Sequence, residues 1–118
     1  MQYEVQNHCL IFYISDDLDH YAVTGIREQS DKLIEREHIR HIIFDFSGVG
    51  FMDSSGIGLI MGRYKKVMFL GGKAAVTNVG KTVDRIFQLS GLYKIIEKYP
   101  TIPEAIEGLQ GKEKEGEV

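Results

Sequence analysis

The run His41-Ile42-Ile43-Phe44-Asp45-Phe46, followed after a short loop by Asp53-Ser54-Ser55-Gly56-Ile57-Gly58, decides how this chain is built. The first part is a compact apolar run rich in β-branched and aromatic residues, which reads as a buried strand. The second opens a segment in which Ile57, Ile60, Met61, Tyr64, Val67 and Met68 recur at helical spacing. A strand therefore hands over to a helix, and Asp53-Ser54-Ser55-Gly56 stands at the helix N-terminus. Free backbone N–H groups and the positive end of the helix dipole meet there, so a phosphate on Ser54 is expected to find donors at hand. The same position also suits an ordinary capping serine.

Working outward, strands and helices alternate. Tyr3 to Val5 and Cys9 to Ile14, separated by Gln6-Asn7-His8, predict a hairpin. Asp19 can cap a helix whose apolar face is Ala22, Val23, Ile26, Leu33 and Ile34, leading to Glu37. The strand from Arg40 to Phe46 leads through Ser47-Gly48-Val49-Gly50 to the second helix, which Gly71-Gly72 stops. Lys73 to Thr77 reads as a short strand, and Val83, Ile86, Phe87 and Leu89 mark a third helix ending at Ser90-Gly91. Lys94 to Glu97 reads as the last strand. Thr101-Ile102-Pro103-Glu104 has the spacing of a capping box for a final helix through Leu109. The expectation is one α/β domain over residues 1–110, with a mixed sheet of four or five strands and about four helices. Residues 111–118 are charged and poor in apolar groups, and read as a disordered tail.

Topology concentrates the chemistry. If the strands after Cys9, His41 and Lys73 are parallel and joined by right-handed crossovers, the loops that follow them share one sheet edge. That edge gathers Asp17, Asp19, Ser54, Ser55 and Asn78. Carboxylates there would repel a phosphoserine of roughly −1.5 to −2 charges while the helix N-terminus attracts it, so a phosphorylated form is tolerated rather than folded in. Gly56, Gly58 and Gly62 stand near the start of one helix, where each costs about 1 kcal/mol relative to Ala. Two explanations are open, packing against the sheet and close approach by a partner.

Composition narrows the function. The 118 residues carry a net charge of −3, which offers no broad basic footprint for nucleic acid. Cys9 is the single cysteine, so an internal disulfide is excluded and a small buried hydrophobe is expected. No apolar run approaches the roughly 18 residues that span a bilayer, and no signal segment opens the chain, which points to the cytoplasm. Gly56-Ile57-Gly58 with Gly62 imitates a dinucleotide fingerprint poorly, because Val76 stands about 20 residues on where an acid is needed. His38 and His41 straddle a helix-to-strand junction, and His8 and His20 stand alone, so surface or capping roles are expected rather than a metal site. Ser54, His20 and Asp19 lack the nucleophile elbow of a hydrolase. The chain does not read as an enzyme.

Five segments carry a family likeness: Asp17-Leu18-Asp19-His20; Ile39-Arg40-His41-Ile42-Ile43; Phe51-Met52-Asp53-Ser54-Ser55-Gly56-Ile57-Gly58; Gly62-Arg63-Tyr64-Lys65; and Phe87-Gln88-Leu89-Ser90-Gly91-Leu92-Tyr93-Lys94-Ile95-Ile96. In this order and spacing, covering nearly the whole chain, they resemble the STAS-domain anti-sigma factor antagonists of the sporulation type. The resemblance implies a protein that binds an anti-sigma factor that is also a serine kinase, so freeing a sigma factor. It implies phosphorylation on the serine after the motif aspartate, Ser54, and reactivation by a serine phosphatase. ATP then belongs to the kinase, and no cofactor is expected on this chain. The implied partner surface is Asp17, Asp19, Asp53, Ser54, Ser55, Gly56, Ile57 and Asn78. Asp19 is equally readable as a simple cap. Asp16 stands where the family has Gly, which bears on the local turn and on kinase affinity. Wider members of the fold suggest the alternative of a module that binds a small ligand or nucleotide.

Overall fold

The computed structural model describes residues 2–15 and 17–116, with side chains described through Gly111. Asp16 lies outside the described residues, as do residues 117 and 118. The elements in chain order are β1 (Gln2–Gln6), β2 (Cys9–Tyr13), α1 (His20–Arg36), β3 (His41–Asp45), α2 (Ser54–Phe69), β4 (Ala74–Thr77), α3 (Lys81–Ser90), a short 3-10 turn (Leu92–Lys94), β5 (Glu97–Tyr99) and α4 (Ile102–Gly116).

The hairpin forms because Asn7 and His8 both take left-handed backbone angles, φ 52° and 63°, matching the twist of a two-residue turn to that of its strands. From β2 onward every strand is parallel to its neighbour, and the sheet order follows the chain, β1-β2-β3-β4-β5, with β1 antiparallel at one edge. Crossovers that step repeatedly in one direction with one hand place their helices on one face. Leu10, Phe12, Ile42, Phe44, Ala74 and Val76 accordingly point into a core filled from α1, α2 and α3 by residues such as Ile26, Leu33, Leu59, Ile60 and Phe87. The alternate residues Cys9, Ile11, Ile43 and Ala75 face the other way and are covered by Ala105, Ile106 and Leu109 of α4. Burial on both faces explains the nearly continuous apolar run at residues 41–46.

An ionic staple joins the two longest helices. Arg63 of α2 is buried, and its guanidinium donates to the Ser30 hydroxyl at 2.8 Å, to the Arg27 carbonyl and to the Asp31 carboxylate. Lys66 donates to the same carboxylate at 2.8 Å. Burial alone would raise the Asp31 pKa, but the two cations and their hydrogen bonds win and hold it below the ordinary carboxylate value.

Three expectations change. The last strand is Glu97–Tyr99 rather than residues 94–97. Gly91 ends α3 with φ 79°, and the chain then makes a 3-10 turn that drops Leu92 and Ile96 into the core, so the apolar pair Ile95-Ile96 packs from an irregular segment. His41 is neither a surface nor a cap residue: it is buried at the start of β3, and its Nδ1 accepts the Lys73 N–H at 3.0 Å. Finally, α4 continues to Gly116, past Leu109 and through most of the expected disordered tail. Its Glu and Lys residues are good helix formers that extend a helix already nucleated at Thr101, whose hydroxyl oxygen accepts the Glu104 N–H.

Candidate functional site

The loops that leave β2, β3 and β4 meet at one edge of the sheet, and four carboxylates organise them. Asp17 accepts the backbone N–H groups of Gly50 and Phe51 at 2.9 and 3.1 Å, although it precedes them by more than thirty residues. Leu18 and Met52 form an isolated parallel bridge, flanked by the bonds Leu18 N–H to Phe51 carbonyl and Asp53 N–H to Leu18 carbonyl. The Asp17–Asp19 segment is thus laced to the segment that carries Ser54. Asp19 is the N-cap of α1, its Oδ1 accepting the Ala22 N–H at 3.0 Å.

Asp45, at the end of β3, is the hub beneath. Its two oxygens accept from the hydroxyls of Ser47 (2.6 Å) and Thr77 (2.9 Å) and from the Asn78 amide. Burial pushes its pKa upward, but these donors outweigh burial and lower it. Asn78 sits at φ 54°, a conformation Asn tolerates better than most residues, which turns its amide back onto Asp45.

Asp53 is the N-cap of α2, and Ser54 is the first helical residue. Asp53 Oδ1 accepts from the Ser55 N–H at 2.8 Å and from the Gly56 N–H at 3.4 Å. Here the structure corrects an expectation. The first-turn donors that seemed ready for a phosphate on Ser54 include two already held by Asp53. The Ser54 hydroxyl is exposed, whereas Ser55 is half-buried. Ser54 thus stands exposed beside a carboxylate that already uses two of the N–H groups a phosphate there would need.

The structure brings the expected site residues to one edge but sorts them by role. Asp17, Asp19, Ser54 and Asn78 are exposed; Asp53, Ser55 and Ile57 are partly so. Gly56 is buried, which removes it from the expected contact surface: a Cβ there would come within 3.0 Å of Met52 Cβ and 3.1 Å of Leu18 Cβ. It is glycine because the bridge lies underneath. Among the described residues nothing lies within 4 Å of a Cβ added at Gly58 or Gly62, so packing against those residues does not account for these glycines. Tyr21, in the first turn of α1, and Phe51, in the loop that leads to Ser54, are exposed. Sequence reasoning quoted Phe51 within the motif without naming it a contact, and it passed over Tyr21 and the role of Asp45 as a hub.

Comparison with known proteins agrees with this geometry. Residues 1–105 match the STAS domain. The chain belongs to the STAS-domain family, on the branch of the anti-sigma factor antagonists. It is 38% identical over 112 residues to the anti-sigma F factor antagonist of Paenibacillus polymyxa, covering 93% of this chain and 96% of that protein. Its fold is similar to that of SpoIIAA, an anti-sigma factor antagonist solved in its unphosphorylated form, with a TM-score of 0.75, 31% identity, and coverage of 93% of this chain and 97% of the other. The phosphorylated form of the Bacillus cell fate determinant SpoIIAA gives a TM-score of 0.72 at 34% identity, covering 90% and 96%. Among the described residues no helix is long and apolar enough to cross a membrane.

Proposed function

We propose that this chain is a phosphorylation-controlled antagonist that, with Ser54 free, binds an anti-sigma factor serine kinase and releases the sigma factor held by it. The observation that carries the reading is the exposed Ser54 hydroxyl at the first turn of α2, next to an Asp53 carboxylate already committed to capping. The hydroxyl is open to a kinase, while two of the N–H groups that could hold a phosphate are already taken by Asp53. It adds charge and bulk to a rim already lined by Asp17, Asp19 and Asp53, and an interface formed against that rim is lost. The chain is the substrate; ATP and the catalytic groups belong to the kinase, and a serine phosphatase restores the free hydroxyl. Both steps take place in the cytoplasm. The nearness in sequence of relatives named as antagonists of anti-sigma F factor supports a sporulation setting.

Incubation with the cognate kinase and ATP, followed by mass spectrometry, is expected to place one phosphate on Ser54 and none on Ser55. Ser54→Ala should hold the kinase without release, and Ser54→Asp should bind it poorly. A phosphate on Ser55, or equal affinity of the two forms, would overturn the mechanism.

A further inference from the structure

The opposite end of the molecule carries a feature that the Ser54 reading leaves unused. α1 and α2 pack side by side and finish where β3 and β4 begin, and between their ends lies an open hollow of about 780 Å³. Ile34, Ile39, Phe69 and Leu70 supply its apolar lining. The first two are buried, but Phe69 is 89% exposed and Leu70 54% exposed, and Met68 beside them is also exposed. Consecutive large apolar residues left in water are uncommon on a chain of this size and mark a contact surface. Nothing in the core requires Phe69 to be aromatic.

Charge indicates what fits. Arg40, Lys65 and Lys66 line the hollow with one carboxylate, Glu35. Cations are favoured near helix C-termini, and Lys66 already serves Asp31, so part of this excess is structural. Lys65 is exposed, and the hollow stays positive in a chain whose net charge is −3. Two copies meeting through this end would set cations against cations. A flat bilayer would touch Phe69 and leave the concavity unfilled. An apolar trough with a cationic rim matches an amphipathic helix that carries carboxylates beside its apolar stripe.

We propose that this hollow docks an acidic amphipathic segment of a partner protein, independently of the state of Ser54. Its apolar side chains lie on Ile34, Ile39, Phe69 and Leu70, and its carboxylates face Lys65 and Lys66. Because the hollow and Ser54 occupy opposite sheet edges, one molecule can hold this partner while its other end is engaged or phosphorylated.

The probe is a fluorescein-labelled synthetic helix of about four turns, with leucines at helical spacing and glutamates elsewhere, titrated by anisotropy against the full chain. Saturable binding is expected, weakened at least about tenfold by Phe69→Ser and by Lys65→Glu, and weakened by added salt. Both substitutions alter exposed side chains, and unchanged melting curves would confirm that the fold survives. Ser54→Asp should alter this affinity less than about twofold, which separates the outcome from any failure of the kinase-binding reading. Absence of binding, equal binding of a helix with lysine in place of glutamate, or indifference to both groove substitutions would overturn the proposal. Binding to phosphatidylglycerol vesicles without binding to the peptide would overturn it in favour of a lipid surface. A dimer seen by sedimentation and abolished by Phe69→Ser would overturn it in favour of a second copy.

Discussion

The two ends of the sheet are built from similar parts and present opposite chemistry. At the end where β2, β3 and β4 finish, Asp17, Asp19, Asp45 and Asp53 are spent on holding loops and helix starts in place, so a serine hydroxyl stands out against an acidic, rigid rim. At the end where the helices finish, cations surround exposed Phe69 and Leu70, and the apolar groups stand out instead. The contrast teaches that an added phosphate would meet opposite surroundings at the two ends. One more negative charge would add to like charge on the acidic rim, whereas among the lysines it would be partly neutralised.

The largest expected effect tests that contrast. Phosphorylation of Ser54, or Ser54→Asp to a lesser degree, should weaken kinase binding by at least about 100-fold, because juxtaposed like charges at an interface cost several kcal/mol. Phe69→Ser at the far end should leave that affinity within about twofold, as expected of separated sites. Isothermal titration of both variants against the kinase measures the difference, and comparable losses would erase the distinction between the ends.

Next in size is the Asp45 hub. Asp45→Ala should lower stability by about 3 kcal/mol in urea denaturation, since the Thr77 and Ser47 hydroxyls and the Asn78 amide lose their acceptor. The Asp45 pKa is lowered in the folded state. Its stabilising contribution is thus fully present above the unfolded carboxylate value near about 3.9 and is lost as pH falls through the folded value. The gap between wild type and Asp45→Ala should therefore narrow below about pH 4. A gap that stays constant on acidification would assign the effect to lost packing.

Smaller effects sharpen the description of the Ser54 end. Gly58→Ala and Gly62→Ala should each raise stability by up to about 1 kcal/mol, because the helix gains propensity and the new methyl group meets nothing among the described residues. Both should weaken kinase binding if a partner backbone approaches there; stabilised proteins with undiminished affinity would remove that explanation for the glycines. Asp19→Asn should change the melting temperature least of all, since Asn caps a helix about as well as Asp. Reduced kinase affinity in that variant would mark the carboxylate as a contact, and unchanged affinity would leave it a cap alone.

Much of this was legible in the sequence because it rests on local periodicity. The run His41 to Phe46, the spacing of Ile57, Ile60 and Tyr64, and the Asp19 and Thr101 caps each announce an element within a few residues, and together they specify a parallel sheet and place Ser54 at a helix start. What escaped depends on pairings between distant segments. The Leu18–Met52 bridge, which explains Gly56 and separates it from Gly58 and Gly62, leaves no local pattern. The donors beneath Ser54 looked open because a sequence shows which residue can cap but not that Asp53 already does. Ile95-Ile96 has the composition of a strand, and the left-handed turn at Gly91 sends it into the core instead.

The single helix on the second face of the sheet carries a consequence for how the molecule is made. Three helices close the first face in chain order, each beside strands just synthesised, whereas Cys9, Ile11 and Ile43 stay uncovered until Ala105, Ile106 and Leu109 arrive. Gln110 then reaches back to the carbonyl of Asn7, a bond spanning 103 positions. A chain still on the ribosome that lacks these residues carries a half-dressed sheet with an oily back, the kind of surface that chaperones hold and neighbouring chains stick to. Ser54 is presented by strands and helices laid down early, but the face of the sheet behind them is sealed only when α4 arrives.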